Sequence, residues 1–160
     1  MKDEINQKIM KTQFDILRKV REIVTKIVGT LTLEQLHKIP DGFNNNIVWN
    51  VAHLVVTQQL LHYRLTGKEC LVSEELINTY RKGTSPTTKM SQEEFDRVLI
   101  QLKELPNTLE EDYNNGIFTE YTSYPTSTGF VLNSIDSAIA FNNMHESLHL
   151  GVIMSLRKLV

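Results

Sequence analysis

The sequence predicts an all-α protein, a four-helix bundle with long connections between the second and third helices and between the third and fourth. Two observations lead to this prediction. Four long segments place apolar residues three, four and seven positions apart, the pattern of helices that bury one face. Gly (7) and Pro (4) together make up about 7% of the 160 residues, against roughly 12% in average sequences. A sandwich or barrel of short strands needs many such turn residues. A less regular packing of the same helices is the alternative.

The first helix is predicted over residues 2–28. No proline interrupts this segment, and Gly29 follows it at the position of a helix C-cap. Thr32 and Gln35 have the spacing of a capping box, which predicts a short helical turn before Pro40. Two adjacent apolar stripes make up the predicted buried face; they consist of Ile9, Ile16, Val20, Ile23 and Ile27, and of Met10, Phe14, Leu17, Val24 and Val28.

The second helix is predicted from Ile47 to about Leu65. Asn46 precedes it, and the side-chain oxygen of an asparagine at this position can accept hydrogen bonds from the free amides of the first turn. Thr66 and Gly67 are expected to end the helix, because glycine readily adopts the left-handed conformation found after helix C-termini.

The third helix follows a long connection, in which Ser73 opens a short helix that is expected to stop near Gly83. Ser91 and Glu94 have the spacing of a capping box at the start of the third helix. Pro106 is expected to end or kink this helix, because proline has no amide hydrogen to donate. Its apolar face consists of Phe95, Val98, Leu99, Leu102 and Leu105.

The second long connection leads to the last helix. Alternation over residues 117–121 predicts a short extended piece, and the stretch up to Gly129, rich in Thr, Ser and Tyr, predicts a loop. Asn133 or Ser134 is expected to cap the last helix, which should reach nearly to Val160.

Length and composition predict one domain over residues 1–160. Hydrophobic residues make up 41% and charged residues 22% of the chain, which is neither a disordered nor a membrane-embedded composition. The net charge is −2, so the chain has no excess of basic residues of the kind that nucleic-acid-binding proteins use. Cys70 is the only cysteine, so an internal disulfide is excluded, and the charged start Met1–Glu4 lacks an apolar signal region. We therefore expect a cytoplasmic protein that binds neither nucleic acid nor membrane.

The last helix contains the segment His145-Glu146-Ser147-Leu148-His149. Two histidines at positions i and i+4 lie on one helix face and can reach one metal ion. The same pattern occurs in zinc peptidases, where the glutamate acts as general base. Glu146 is rotated about 100° from His145, so we favour a surface position, or an acceptor that orients an imidazole, over a general base.

A metal centre with an open position needs a third protein ligand. Residues 150–160 contain no His, Asp, Glu or Cys, so this ligand must come from upstream. His53 follows Trp49 by four positions and lies in an apolar seam. His62 is nine positions further, about 180° around the helix, and looks peripheral, while His37 lies in the turn after the first helix. The predicted metal ligands are His53, His145 and His149.

Two segments resemble signatures of the DinB-like superfamily. Residues 49–54, Trp-Asn-Val-Ala-His-Leu, resemble its Trp-x-x-x-His-Leu segment, and residues 145–151 resemble its His-x-x-x-His-x-Gly signature. Residues 31–36 resemble the turn after its first helix. The resemblance implies an up-down-down-up bundle, a three-His site for zinc, nickel or another divalent ion, and a homodimer. Gly151 fits this pattern, because a missing side chain lets a neighbouring helix come close.

A metal-dependent enzyme is the predicted function. Three neutral imidazoles leave the charge of a divalent ion uncompensated, which favours the anion of a bound thiol or water near neutral pH. The superfamily includes bacillithiol S-transferases and mycothiol-dependent maleylpyruvate isomerases, and this resemblance implies transfer of a low-molecular-weight thiol co-substrate to a small-molecule substrate. A metal-hydroxide hydrolase and a non-catalytic bundle that binds a ligand or partner are the alternatives. The candidates for orienting a ligand or touching substrate are Trp49, Asn50 and Glu146.

Overall fold

The computed structural model describes residues 2–160, with side chains from residue 4 onward. It is mainly helical, which confirms the all-α prediction. None of the helices among the described residues is both long enough and apolar enough to cross a membrane. The elements are α1 (Lys2–Val28), α2 (Leu33–His37), α3 (Ile47–His62), a 3-10 turn (Arg64–Thr66), α4 (Glu74–Tyr80), α5 (Gln92–Asn114), β1 (Tyr124–Pro125), β2 (Val131–Leu132) and α6 (Ile135–Leu156).

The four long helices α1, α3, α5 and α6 pack side by side. Helix α1 lies against α5 and α6, and helix α3 lies against the same two helices. The larger group of buried apolar side chains joins all four helices, for example through Val24, Leu54, Leu102 and Ile153. Low-numbered residues of α3 meet high-numbered residues of α6, so these two helices run antiparallel.

The predicted helix starts are confirmed by their hydrogen bonds. The Asn46 side chain accepts from the backbone amide of Trp49 at 2.8 Å and so caps α3. Ser91 and Glu94 form the expected reciprocal pair at the start of α5. Of the two candidates for the cap of α6, Ser134 is the residue that accepts from the first turn. These caps depend on residues three positions apart, which is why the sequence alone could predict them.

One of the two apolar stripes of α1 is fully buried, whereas the other is buried only at Val20 and Ile27. The stripe through Phe14, Leu17 and Val24 is buried, whereas Ile9 and Ile16 of the other stripe are exposed, as is Ile23. The prediction that both stripes are buried is therefore wrong for these isoleucines. Helical periodicity identifies apolar faces, but it does not say which of two neighbouring faces meets the other helices.

Pro106 does not end α5, which continues to Asn114, so of the two expectations, an end or a kink, the end is wrong. A proline inside a helix leaves the carbonyl four residues earlier without its amide donor. Here that carbonyl belongs to Leu102, and Nη1 of the buried Arg21 donates to it at 3.1 Å. A side chain from α1 thus replaces the missing amide and satisfies the carbonyl inside the core.

The connection between α5 and α6 differs from its prediction in two places. Residues 117–123 form no strand, and a small hairpin instead begins at Tyr124, inside the stretch predicted as loop, and ends at Leu132. Tyr124 pairs with Leu132 and Pro125 with Val131 in this hairpin. Gly129 closes its turn with a φ of 88°, a left-handed conformation that glycine adopts without strain.

Gly151 does not mark a close approach of helices. No atom outside its own helix neighbourhood lies within 4 Å of the position that a Cβ would take on this residue. The expectation that a neighbouring helix comes close there is therefore wrong.

Candidate metal centre

Three histidine rings converge between α3 and α6. His53 comes from α3, and His145 and His149 come from consecutive turns of α6. One nitrogen of each ring lies within 4.8 Å of the others, and the ring centroids are 4.5 to 5.1 Å apart. The antiparallel packing of the two helices brings one turn of α3 opposite the two turns that carry the pair.

The spacing of these nitrogens fits one metal ion. Nε2 of His53 lies 3.2 Å from Nε2 of His145. Two nitrogens bound to tetrahedral zinc at about 2.0–2.1 Å lie about 3.3–3.4 Å apart. These two nitrogens are therefore close to the separation that shared coordination requires, and a nitrogen of His149 lies within 4.8 Å of both rings' ligand atoms.

Hydrogen bonds behind two of the rings determine which nitrogen can bind a metal. Nδ1 of His53 lies 2.7 Å from the carbonyl oxygen of Tyr80. A carbonyl can only accept, so Nδ1 carries the hydrogen and Nε2 keeps its lone pair. This arrangement is typical of metal-binding histidines, which donate their other ring N–H to a backbone carbonyl or a side-chain oxygen.

Asn50 provides the same support for His149. Its amide nitrogen donates to the carbonyl of Asn46 at 2.7 Å and to Oδ1 of Asn45 at 3.0 Å. Its oxygen Oδ1 therefore faces Nδ1 of His149, which donates to it at 2.7 Å. Nε2 of His149 is left as the acceptor, so the predicted candidate Asn50 contacts a predicted ligand directly.

Trp49 covers one face of His53. The two rings stack with centroids 4.5 Å apart and planes at 13°, and Nε1 of Trp49 donates to Oγ1 of Thr84 at 3.0 Å. The stack limits the rotation of the imidazole. On the same histidine, the hydroxyl of Thr57 lies 3.2 Å from Nε2 and can donate to it.

Burial keeps the three imidazoles neutral. It lowers the pKa of His53 below the ordinary value. The pKa of His145 falls to about 3 and that of His149 to about 4, because burial disfavours the charged ring and each would be repelled by a neighbouring imidazolium. The neutral imidazole is the form that binds a metal ion.

Glu146 lies away from these rings, in a buried ion pair with Arg21. Its Oε1 is 2.6 Å from Nη2 of Arg21, and the two side chains are 0% and 1% exposed. Asn142 donates to the same carboxylate at 2.9 Å. The expectation of a surface position is wrong, and the hydrogen bonds of the carboxylate go to Arg21 and Asn142 rather than to an imidazole.

Arg21 is the residue that the sequence reading missed. It follows Leu17 by four positions and precedes Val24 by three, so it interrupts the apolar stripe that the structure buries. A charged residue in such a stripe signals a buried partner. An arginine in the stripe of α1 and a glutamate in α6 could have been paired on that ground.

His62 is fully buried, so the prediction that it is peripheral is wrong. Nearly every side chain of α3 is buried, because α5 and α6 pack along it. Helix α4 and the 3-10 turn (Arg64–Thr66) add further contacts. A position opposite His53 is therefore also interior. His62 donates through Nδ1 to the carbonyl of Gln58 at 2.7 Å, and His37 contacts the carbonyl of Met90 at 2.8 Å; neither belongs to the cluster.

A cavity of about 390 Å³ opens onto all three rings. Apolar side chains of α3 and α6 line it, among them Leu60, Phe141, Met144 and Leu148. Polar residues from the segment after α4 and from the hairpin turn also line it, among them Lys82, Thr126, Ser127 and Thr128.

The fold and this cluster define a helical protein with a candidate three-histidine metal centre. The sequence profile of the DinB superfamily matches residues 16–153, and the chain therefore belongs to the DinB superfamily. Comparison with curated proteins gives no significant match.

Among solved structures, a conserved protein from Enterococcus faecalis is similar, with a TM-score of 0.65 and 12% identity over 95% of this chain and 96% of that one. At this identity the likeness supports the fold alone.

Proposed function

We propose that the protein is a metal-dependent transferase that activates a low-molecular-weight thiol for transfer to a small electrophilic substrate. The observation that carries the proposal is the convergence of three neutral imidazoles at a cavity. Three protein ligands are the number found in catalytic zinc sites, where the fourth position takes water or substrate. The preference for a thiol over water rests on the chemistry of other superfamily members.

The ion would be zinc or nickel, held by His53, His145 and His149. A divalent ion held by three neutral imidazoles lowers the pKa of a thiol that joins it and favours the nucleophilic anion near neutral pH. The carbonyl of Tyr80 and the side chain of Asn50 hold two of the rings in the required tautomer.

The proposed transfer forms a carbon–sulfur bond in place of the carbon–leaving-group bond and of the S–H bond. A lone pair of the sulfur forms the bond to the electrophilic carbon, the leaving group departs with the electron pair of its bond, and the thiol proton passes to solvent. Beside the rings, Trp49 stacks on His53 and Phe141 lines the cavity, and these apolar surfaces would limit the access of water to the reacting atoms.

The proposal includes a homodimer. The exposed isoleucines of α1, Ile5, Ile9, Ile16 and Ile23, are spaced by four and seven residues and so form one continuous face. A second copy that packed on this face would remove it from water. Light scattering should give the mass of a dimer, and Ile9→Glu together with Ile16→Glu should give a monomer. A monomeric wild type would contradict this part.

The function is tested with protein purified without a nickel column. We expect bound metal, a higher melting temperature with zinc than with chelator, and faster thiol transfer to a chromogenic electrophile than the spontaneous rate. His149→Ala should remove all three effects, because binding to the native state alone raises stability. His37→Ala, a histidine outside the cluster, should keep them.

Two results would overturn the proposal. Equal melting curves with zinc and with chelator would contradict the metal centre. Bound metal without any metal-dependent rate across a panel of thiols would contradict the transferase and would leave the hydrolase or a non-catalytic bundle.

A further inference from the structure

The charged side chain that lines the cavity at the candidate metal centre is positive. Lys82 is the only side chain with a full charge among the described residues that line it, and none of them is acidic. The ion pairs formed by the described side chains leave Lys82 out. Lys82 therefore lines a cavity whose histidines are neutral, and its ammonium group belongs to none of these ion pairs.

Hydrogen bonds to His53 and Trp49 fix the backbone on both sides of Lys82. The carbonyl of Tyr80, two residues earlier, accepts from His53 at 2.7 Å. The hydroxyl of Thr84, two residues later, accepts from Trp49 at 3.0 Å. The amide of Thr84 donates to the carbonyl of Arg81 at 3.2 Å, which closes the turn. One end of the turn is thus fixed to His53 and the other to Trp49, which stacks on His53.

The remaining lining combines polar and apolar side chains. Thr126, Ser127 and Thr128, from the hairpin turn, add hydroxyl groups, whereas Phe141, Met144 and Leu148 of α6 add apolar surface. Pockets of this kind orient a ligand through a few polar groups while apolar walls contact its body.

We propose that the cavity selects a small ligand that carries a carboxylate, and that Lys82 is the residue that determines this selection. The inference rests on the proposed function, because the reactive end of the ligand must reach the three imidazoles. A carboxylate at Lys82 forms a charge-assisted hydrogen bond, and the hydroxyls of Ser127 and Thr128 can donate to its second oxygen, whereas that of Thr126 donates to the carbonyl of Phe130. A neutral ligand of the same shape cannot form this charge-assisted hydrogen bond with Lys82.

Fluorescence of Trp49 provides a direct readout of binding. It is the only tryptophan of the chain, and it lines the cavity and stacks on His53. Zinc-loaded protein is titrated with 3-mercaptopropionate, with its methyl ester and with butyrate, which replaces the thiol by a methyl group. This readout measures binding without turnover.

We expect 3-mercaptopropionate to bind about tenfold more tightly than its ester, a difference of about 1.4 kcal/mol. Lys82→Met should bring this ratio close to one, and Lys82→Arg should keep most of it. Lys89→Met, an exposed lysine outside the cavity, should leave it unchanged. The same two ligands are compared in every variant, so the different acidity of their thiols cancels.

The outcomes separate this inference from the proposed function. An acid-to-ester ratio that is the same in wild type and Lys82→Met overturns the role of Lys82, even if both thiols bind. If butyrate binds as tightly as 3-mercaptopropionate and Lys82→Met weakens both, carboxylate selection stands and thiol activation fails. Binding of none of the three ligands overturns both.

Discussion

The guanidinium of Arg21 and the carboxylate of Glu146 form an ion pair inside the helical core, with Nη2 and Oε1 2.6 Å apart. Arg21 also donates to the carbonyls of Leu102 and Leu54, at 3.1 and 3.4 Å. One side chain of α1 therefore contacts α3, α5 and α6. The glutamate of the His-Glu-x-x-His segment serves this connection between helices.

Removal of one partner of this pair should destabilise the protein strongly. Arg21→Ala leaves the carboxylate of Glu146 buried without its cation and the carbonyl of Leu102 without a donor. Loss of one partner of a buried pair costs about 3–5 kcal/mol, which urea unfolding of metal-free protein measures. Arg21→Met combined with Glu146→Leu should cost less, because no charge remains buried.

The control for this prediction is the exposed pair between Lys19 and Glu22 on the same helix. Lys19→Ala should leave the urea midpoint nearly unchanged, because solvent screens exposed pairs. A loss in Arg21→Ala no larger than that in Lys19→Ala would show that the buried pair does not stabilise the fold.

Local signals explain what the sequence could predict. Asn46 and Ser91 act on amides within one helical turn, so their caps are visible in the sequence. His145 and His149 are one turn apart, so their shared face is a property of the helix alone. His53 could be added because it lies in an apolar seam of another long helix.

Contacts between helices explain what the sequence could not predict. The continuation of α5 through Pro106 depends on Arg21, which is 81 residues from the carbonyl that it satisfies. The burial of His62 depends on how many elements surround α3. The partner of Glu146 is 125 residues away. None of these relationships follows from periodicity, because each requires knowledge of which helix faces are in contact.

Asn50 should control metal affinity without binding the metal. Asn50→Leu preserves the approximate volume but removes the oxygen that accepts from Nδ1 of His149. Loss of such a hydrogen bond typically weakens metal binding 10–100-fold. Competition with a chromophoric chelator measures this change. Asn45→Ala, which removes only a partner of the Asn50 amide nitrogen, should have a smaller effect. Unchanged zinc affinity in Asn50→Leu would contradict this role.

His62 should make the stability of the fold depend on pH. Burial lowers its pKa from 6.5 to about 4 in the native state, and the charge of Arg21 adds to the effect. The unfolded chain therefore binds more protons between pH 6.5 and 4, so the stabilisation is complete above pH 6.5 and is lost as pH falls through this range. The loss amounts to at most about 3 kcal/mol for this residue.

The measurement is urea unfolding of metal-free protein at several pH values between 7 and 4.5. The three histidines of the cluster act in the same direction, so the wild type combines several contributions. His62→Gln should reduce the slope within this range by up to about 1.4 kcal/mol per pH unit. An identical slope in wild type and variant would show that His62 is not protonated on unfolding.

Glu146→Gln should separate the stability of the protein from its chemistry. The carboxylate is completely buried against Arg21 and does not line the cavity, so it cannot reach a proton of a ligand held there. We expect the variant to unfold at lower urea concentration while the rate of thiol transfer per folded, metal-loaded molecule stays close to that of wild type. His53→Ala should instead lose most of the rate together with its metal. Because Glu146 cannot act as the general base of a zinc peptidase from this position, metal-dependent cleavage of a generic unfolded protein should also be absent. A loss of rate in Glu146→Gln as large as in His53→Ala, with metal content and folding intact, would identify Glu146 as a general base and would favour hydrolysis over thiol transfer.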